Sequence, residues 1–144
     1  MNYESWRVAL FHLNKEIKSK MIAANEWRKN RKVGFEITDR LEEPGFYMKF
    51  ENGFMVSVQW SSFNYGDHYA TGKKLPEEVS YSLQVEIAII NPKGELMEIN
   101  AVDDSVVAYI GADEVAEYMH RVSNLRYHCV TGKVIDPTNL FSKQ

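Results

Sequence analysis

The chain has 144 residues, 44% of them hydrophobic and 26% charged, with a net charge of -3. That is enough for one globular domain with a real core, and it gives no overall electrostatic pull toward nucleic acid or acidic membranes. The single cysteine, Cys129, excludes an intrachain disulfide framework, so the chain reads as a protein of a reducing, cytoplasmic interior. No stretch reaches the apolar length of a membrane span or a signal peptide.

Residues 2–29 contain neither Gly nor Pro. Trp6, Leu10, Leu13, Ile17 and Met21 recur at spacings of three and four, which predicts a long helix with one apolar stripe. So long a helix is hard for so small a domain to cover. It either lies across the sheet or pairs with a second copy, making a homo-oligomer through this helix. The cluster Arg28-Lys29-Asn30-Arg31-Lys32 ends it. Positive charge there suits a helix C-terminus, and that role explains the cluster without a phosphate ligand.

Phe35-Glu36-Ile37 reads as a brief strand, and Glu43-Pro44-Gly45 as a turn. Phe46 to Phe50 and Phe54 to Trp60 are strands joined at Asn52-Gly53, a strong hairpin signal. In the second of these, Phe54, Val56, Val58 and Trp60 alternate with Met55, Ser57 and Gln59, the pattern of a half-buried antiparallel strand. Tyr81 to Ile90 alternates similarly, with Leu83, Val85, Ile87 and Ile89 on one side. After the turn Asn91-Pro92-Lys93-Gly94, residues 95–100 are expected to return as a strand. Residues 105–110 form an edge strand or a lead-in to a helix. That second helix opens at Gly111-Ala112-Asp113-Glu114 and buries Val115, Tyr118 or Met119, Val122 and Leu125. The expectation is a single α+β domain over residues 1–144. It has an antiparallel meander of about four strands, a long N-terminal helix and a second helix near the C-terminus.

Asn52-Gly53, Val56-Ser57-Val58-Gln59-Trp60, Asn64-Tyr65, Val85-Glu86-Ile87-Ala88 and the run from Asp103 through Ala116 together resemble a widespread group of small, mostly uncharacterised bacteriophage proteins. The likeness covers roughly half of the chain. It departs from the group at Gly66-Asp67-His68, where members often carry a Cys, and in the long first helix. The resemblance implies a phage accessory protein working in the host cytoplasm. It brings no catalytic residues and no cofactor.

The connection from Ser61 to Glu78 is long for a link between two strands. It holds Phe63, Tyr65 and Tyr69 among His68, Lys73 and Lys74, residues that can anchor a protein partner or stack on a base beside phosphate. The plainer reading is a surface loop whose aromatics fold back onto the domain. Asp67-His68 looks like an oriented base but has no nucleophile beside it, and a structural role outweighs a catalytic one. The four histidines show no metal-ligand spacing, and Cys129 reads as a small buried residue. Thr131-Gly132-Lys133 lacks the upstream glycines of a phosphate loop.

These features favour a non-enzymatic protein that binds and inhibits a host factor through the aromatic loop. The alternative is a sponge that sequesters a nucleotide signal, with Tyr65, Tyr69, Lys73, Lys74, Arg121 and Arg126 as contacts. No phosphate-binding motif supports that alternative. A membrane or nucleic-acid partner has no strong case.

Overall fold

The computed structural model describes residues 3–37, 45–60, 64, 66–72, 80–98 and 106–137. Helix α1 spans Tyr3–Lys29, and five strands follow: β1 (Gly34–Ile37), β2 (Gly45–Lys49), β3 (Met55–Gln59), β4 (Val85–Ile90) and β5 (Val106–Ile110). They form one antiparallel meander in the order β1-β2-β3-β4-β5. Helix α2 (Ala112–Ser123) comes next, then a two-stranded ribbon of β6 (Arg126–Tyr127) and β7 (Val134–Ile135). The class is α+β, with both expected helices and a meander of five strands, in line with the expected four or so.

The register places Phe46, Val58 and Ile87 in one row, and Met48, Val56 and Ile89 in the next. That face meets α2, whose Val115 and Val122 join Phe54, Ile110 and Leu125 in the core. Removing each such side chain from water is worth roughly 1.5–3 kcal/mol. Tyr118 and Met119 both pack against this core, so the helix uses both residues of its expected alternative.

Strand β3 departs from the half-buried reading. Met55 and Ser57, on its second face, are also buried. They sit beside Tyr47 of β2 and Ile90 of β4 in the register. A central strand covered on both sides does not need polar residues to alternate outward.

Two further details differ from expectation. Strand β4 starts at Val85, so Tyr81 and Leu83 lie outside it and are exposed. Residues 95–98 make one bridge, Leu96 to Ile90, and no strand. The lane beside β4 is instead completed by β5, the edge strand. There the register slips between Val85 and Ile87, and Tyr109 adopts φ 54°. A bulge of this kind twists an exposed edge away from pairing with another sheet.

The Asn52-Gly53 turn does more than reverse the chain. Phe54 N–H donates to Asn52 Oδ1 at 3.1 Å. The Asn52 amide donates to Val122 O at 2.8 Å and Leu125 O at 2.9 Å. It thereby satisfies carbonyls at the end of α2 and ties that helix to the hairpin. Below them, Tyr127 packs edge-on to Phe54 at 6.1 Å, and Val134 lies against the core.

Among the described residues, helix α1 is joined to the sheet at its C-terminal end. Arg28 Nε donates to Gly94 O at 2.6 Å, and Arg28 also bonds the Asn25 side chain. Lys49 Nζ donates to Lys29 O and Arg31 O, both at 2.9 Å. Trp27 meets Tyr47 edge-on at 5.5 Å, with the Arg31 guanidinium 4.2 Å above the Trp27 ring. Arg31 closes the joint through Trp27 O and Glu36, at 3.0 and 2.9 Å. The basic cluster is the socket of the helix, as its position at a helix C-terminus suggested. Residues 4–24 are exposed throughout.

Gly94, at φ 84°, lies against this joint, and a Cβ there would stand 2.0 Å from Asn25 O. Gly94→Ala is therefore expected to cost about 2 kcal/mol or more, from the left-handed backbone and the clash together. It should also loosen α1, read as a changed Trp27 near-ultraviolet signal and a lowered melting temperature. Asn52→Ala is expected to cost about 1–2 kcal/mol in chemical denaturation, because two helix-end carbonyls lose their donor.

Candidate functional site

The segment after β3 folds back on the sheet and is pinned to residues 81–84. Asn64, itself buried, donates to Gln59 Oε1 at 3.1 Å and Glu86 Oε1 at 3.3 Å. Those two side chains are register partners on β3 and β4, so the Asn64 amide bridges the strands. Gly66 lies against the backbone of Gln84, where a Cβ would come within 2.5 Å of the carbonyl oxygen. No larger residue permits that approach.

Asp67 and His68 are both committed to this fold-back. Asp67 Oδ2 accepts from Leu83 N–H at 2.8 Å. The His68 ring is 9% exposed, and its Nε2 lies 2.7 Å from Tyr81 O. A carbonyl can only accept, so Nε2 carries the proton. Thr71 closes the turn by donating its N–H and its hydroxyl to His68 O, at 3.1 and 2.8 Å. This arrangement positions backbone.

Fixing residues 81–84 in this way shapes a groove of about 320 Å³ between the sheet and the first turns of α2. Its floor is Val58, Val85 and Val115, and Phe46 and Trp60 close the sheet side. Ala112 and Ala116 on α2 leave the space open, one helical turn apart, beside Met119. Leu83 forms the opposite rim at 65% exposure, and Tyr81, two residues away, is 72% exposed. Apolar walls with a few polar groups at the rim suit an apolar side chain of a partner. Sequence reading assigned Leu83 to the strand face and so missed this rim. The small pair Ala112 and Ala116 on an otherwise bulky helix stripe was the signal that could have found it.

The residues expected to bind do not all gather here. Phe63, Tyr65, Lys73 and Lys74 lie outside the described residues. Tyr69 is exposed in the fold-back, and His68 is buried beneath it. Arg121 and Arg126 belong to the other end of the domain. Helix α2 runs from beside Leu83, near Gly111, to the Asn52 turn; Arg121 lies two residues beyond Met119, the last α2 residue in the groove lining, and β6 follows the helix. Arg121 is also paired with Glu117 on its own helix. Cys129 is exposed, not buried, on the β6–β7 turn. Its neighbour His128 accepts from Thr131 N–H through Nδ1 at 3.1 Å, a turn-forming role.

Among the described residues, no three His, Cys, Asp or Glu side chains cluster as metal ligands. No described helix is long and apolar enough to cross a membrane. Comparison of the chain with known families, with curated proteins and with solved structures finds no match.

Next to the groove on α2, burial raises the Tyr118 hydroxyl above the ordinary tyrosine value, with Glu114 and Glu117 adding to the shift and Arg121 opposing it. An unfolded tyrosine releases its proton near pH ~10, before the folded one does. Above that pH the unfolded chain binds fewer protons, so stability falls as pH rises. Tyr118→Phe is expected to make that alkaline loss shallower while leaving stability near pH 7 little changed, measured by urea denaturation across pH 8–11.

Proposed function

We propose that this chain is a non-enzymatic binding protein that docks an apolar side chain of a protein partner in the groove between α2 and the sheet. The open apolar groove, with Leu83 exposed on a rim held by backbone contacts, carries the reading. A preformed rim costs little ordering on association. The roles of Asp67 and His68 in holding residues 81–84 support a binding surface over a reaction centre. Exposed Tyr69 and Tyr81 add aromatic area of the kind that dominates protein interfaces.

The partner class follows from the phage resemblance: a host protein that the chain binds and inhibits. Leu83→Asp places a charge on the rim at an exposed position, where the fold tolerates it. It is expected to lower recovery of the host protein captured by the wild-type chain at least tenfold, with an unchanged circular dichroism spectrum. Undiminished capture by a folded Leu83→Asp chain would remove the groove from the proposal.

A further inference from the structure

The groove leaves a long exposed apolar stripe on α1 unexplained. Trp6, Leu10, Leu13, Ile17 and Met21 are between 47% and 64% exposed along α1, and Ala24 continues their stripe. At 3.6 residues per turn these six fall within an arc of about 80°. Val8, Phe11 and Ile22, each more than half exposed, lie on the opposite face of the helix. Patches of this size mark an interaction surface. A helix projecting this far from its anchor is marginal in water unless its apolar face is covered.

We infer that the cover is α1 of a second copy, packed antiparallel about a two-fold axis near Lys15. An isologous interface needs a surface complementary to its own reversal. About Lys15 the stripe has that property. Trp6 falls opposite Ala24, Leu13 opposite Ile17, and Leu10 opposite the step from Lys20 to Met21. Large therefore meets small at both ends, and the methylene stem of Lys20 fills in beside Met21. A parallel pair would set Trp6 on Trp6 and Ala24 on Ala24, overpacking one layer and hollowing another.

The anchor favours the same orientation. Each sheet domain sits at the C-terminal end of α1, held through Arg28, Gly94 and Lys49. Antiparallel pairing puts the two domains at opposite ends of a rod about 40 Å long. Parallel pairing would crowd them together. The area also suffices. The exposed apolar side chains of the stripe offer on the order of 600 Å² per copy, about 1,200 Å² for the pair, the lower end of what a stable complex buries. The groove lies at the far end of each sheet domain from the anchor, so the pair presents two binding sites facing away from each other.

Sedimentation equilibrium of the full chain at micromolar concentration is expected to give twice the chain mass of 16.7 kDa. Leu13→Glu with Ile17→Glu is expected to weaken the dimer by roughly two orders of magnitude. The sheet domain should melt unchanged, since both positions are exposed. In a Cys129→Ser background, Trp6→Cys chains mixed with Ala24→Cys chains should form the mixed disulfide. A monomer at tens of micromolar, or a dimer that survives both glutamates, overturns the proposal. Trp6→Cys chains linking preferentially to each other overturn the antiparallel register. Binding of anionic phosphatidylglycerol vesicles by a chain that stays monomeric in water assigns the stripe to lipid and overturns the second copy. Leu83→Asp leaves the mass unchanged, so failure of the groove and failure of the dimer are separable.

Discussion

Strand β3 is out of water on both faces, and the rest of the domain is arranged to keep it there. Its Val56 and Val58 face α2, while Met55 and Ser57 face the other way, beside Tyr47 and Ile90. Five residues of strand span about 17 Å, which sets the scale of everything packed on them. Helix α2 matches that length, and Asn52 locks it in place by bonding Val122 O in its last turn and Leu125 O just beyond it. Helix α1 does not match. It rises about 40 Å, more than twice the length of the sheet it is joined to. A sheet of this size can grip its last turns and nothing more.

That mismatch leaves the molecule with two unlike surfaces. One is the groove at the end of the sheet where β3 leaves and β4 enters, rimmed by residues 81–84. The other is the stripe of α1, rooted at the opposite end through Arg28, Gly94 and Lys49. The groove is concave, small and held by polar contacts beneath its rim. The stripe is convex, long and apolar. Concave sites accept one or a few side chains, whereas a helix face is read along its length. The two occupants proposed for them differ accordingly, and a chain holding both would be bivalent.

Polar residues in the fold-back serve geometry. Asn64, Asp67 and His68 would each look functional in isolation. Each instead meets a specific backbone or side-chain group: Asn64 the β3–β4 pair, Asp67 the Leu83 amide, His68 the Tyr81 carbonyl. Buried polar groups must find partners, and a loop crossing the end of a sheet meets many unpaired ones. The same need explains why a histidine is buried here.

Much of this was legible in the chain itself. The α1 stripe, the Asn52-Gly53 hairpin and the apolar face of α2 rest on local periodicity and turn chemistry, which the backbone obeys wherever the segment lies. The basic cluster was legible as a helix terminus for the same reason. Tertiary structure decided what covers each face. It buried Met55 and Ser57 although β3 alternates like a half-exposed strand, and it left Leu83 in the open although it follows the rhythm of β4. It separated Arg121 and Arg126 from His68 and Tyr69, because a helix laid along a sheet carries its last residues to the far end. It also left α1 uncovered, since whether an apolar stripe meets a neighbour depends on the reach of the sheet and not on the stripe. Periodicity names the face that wants burial, and only packing in three dimensions decides whether the same chain can supply it.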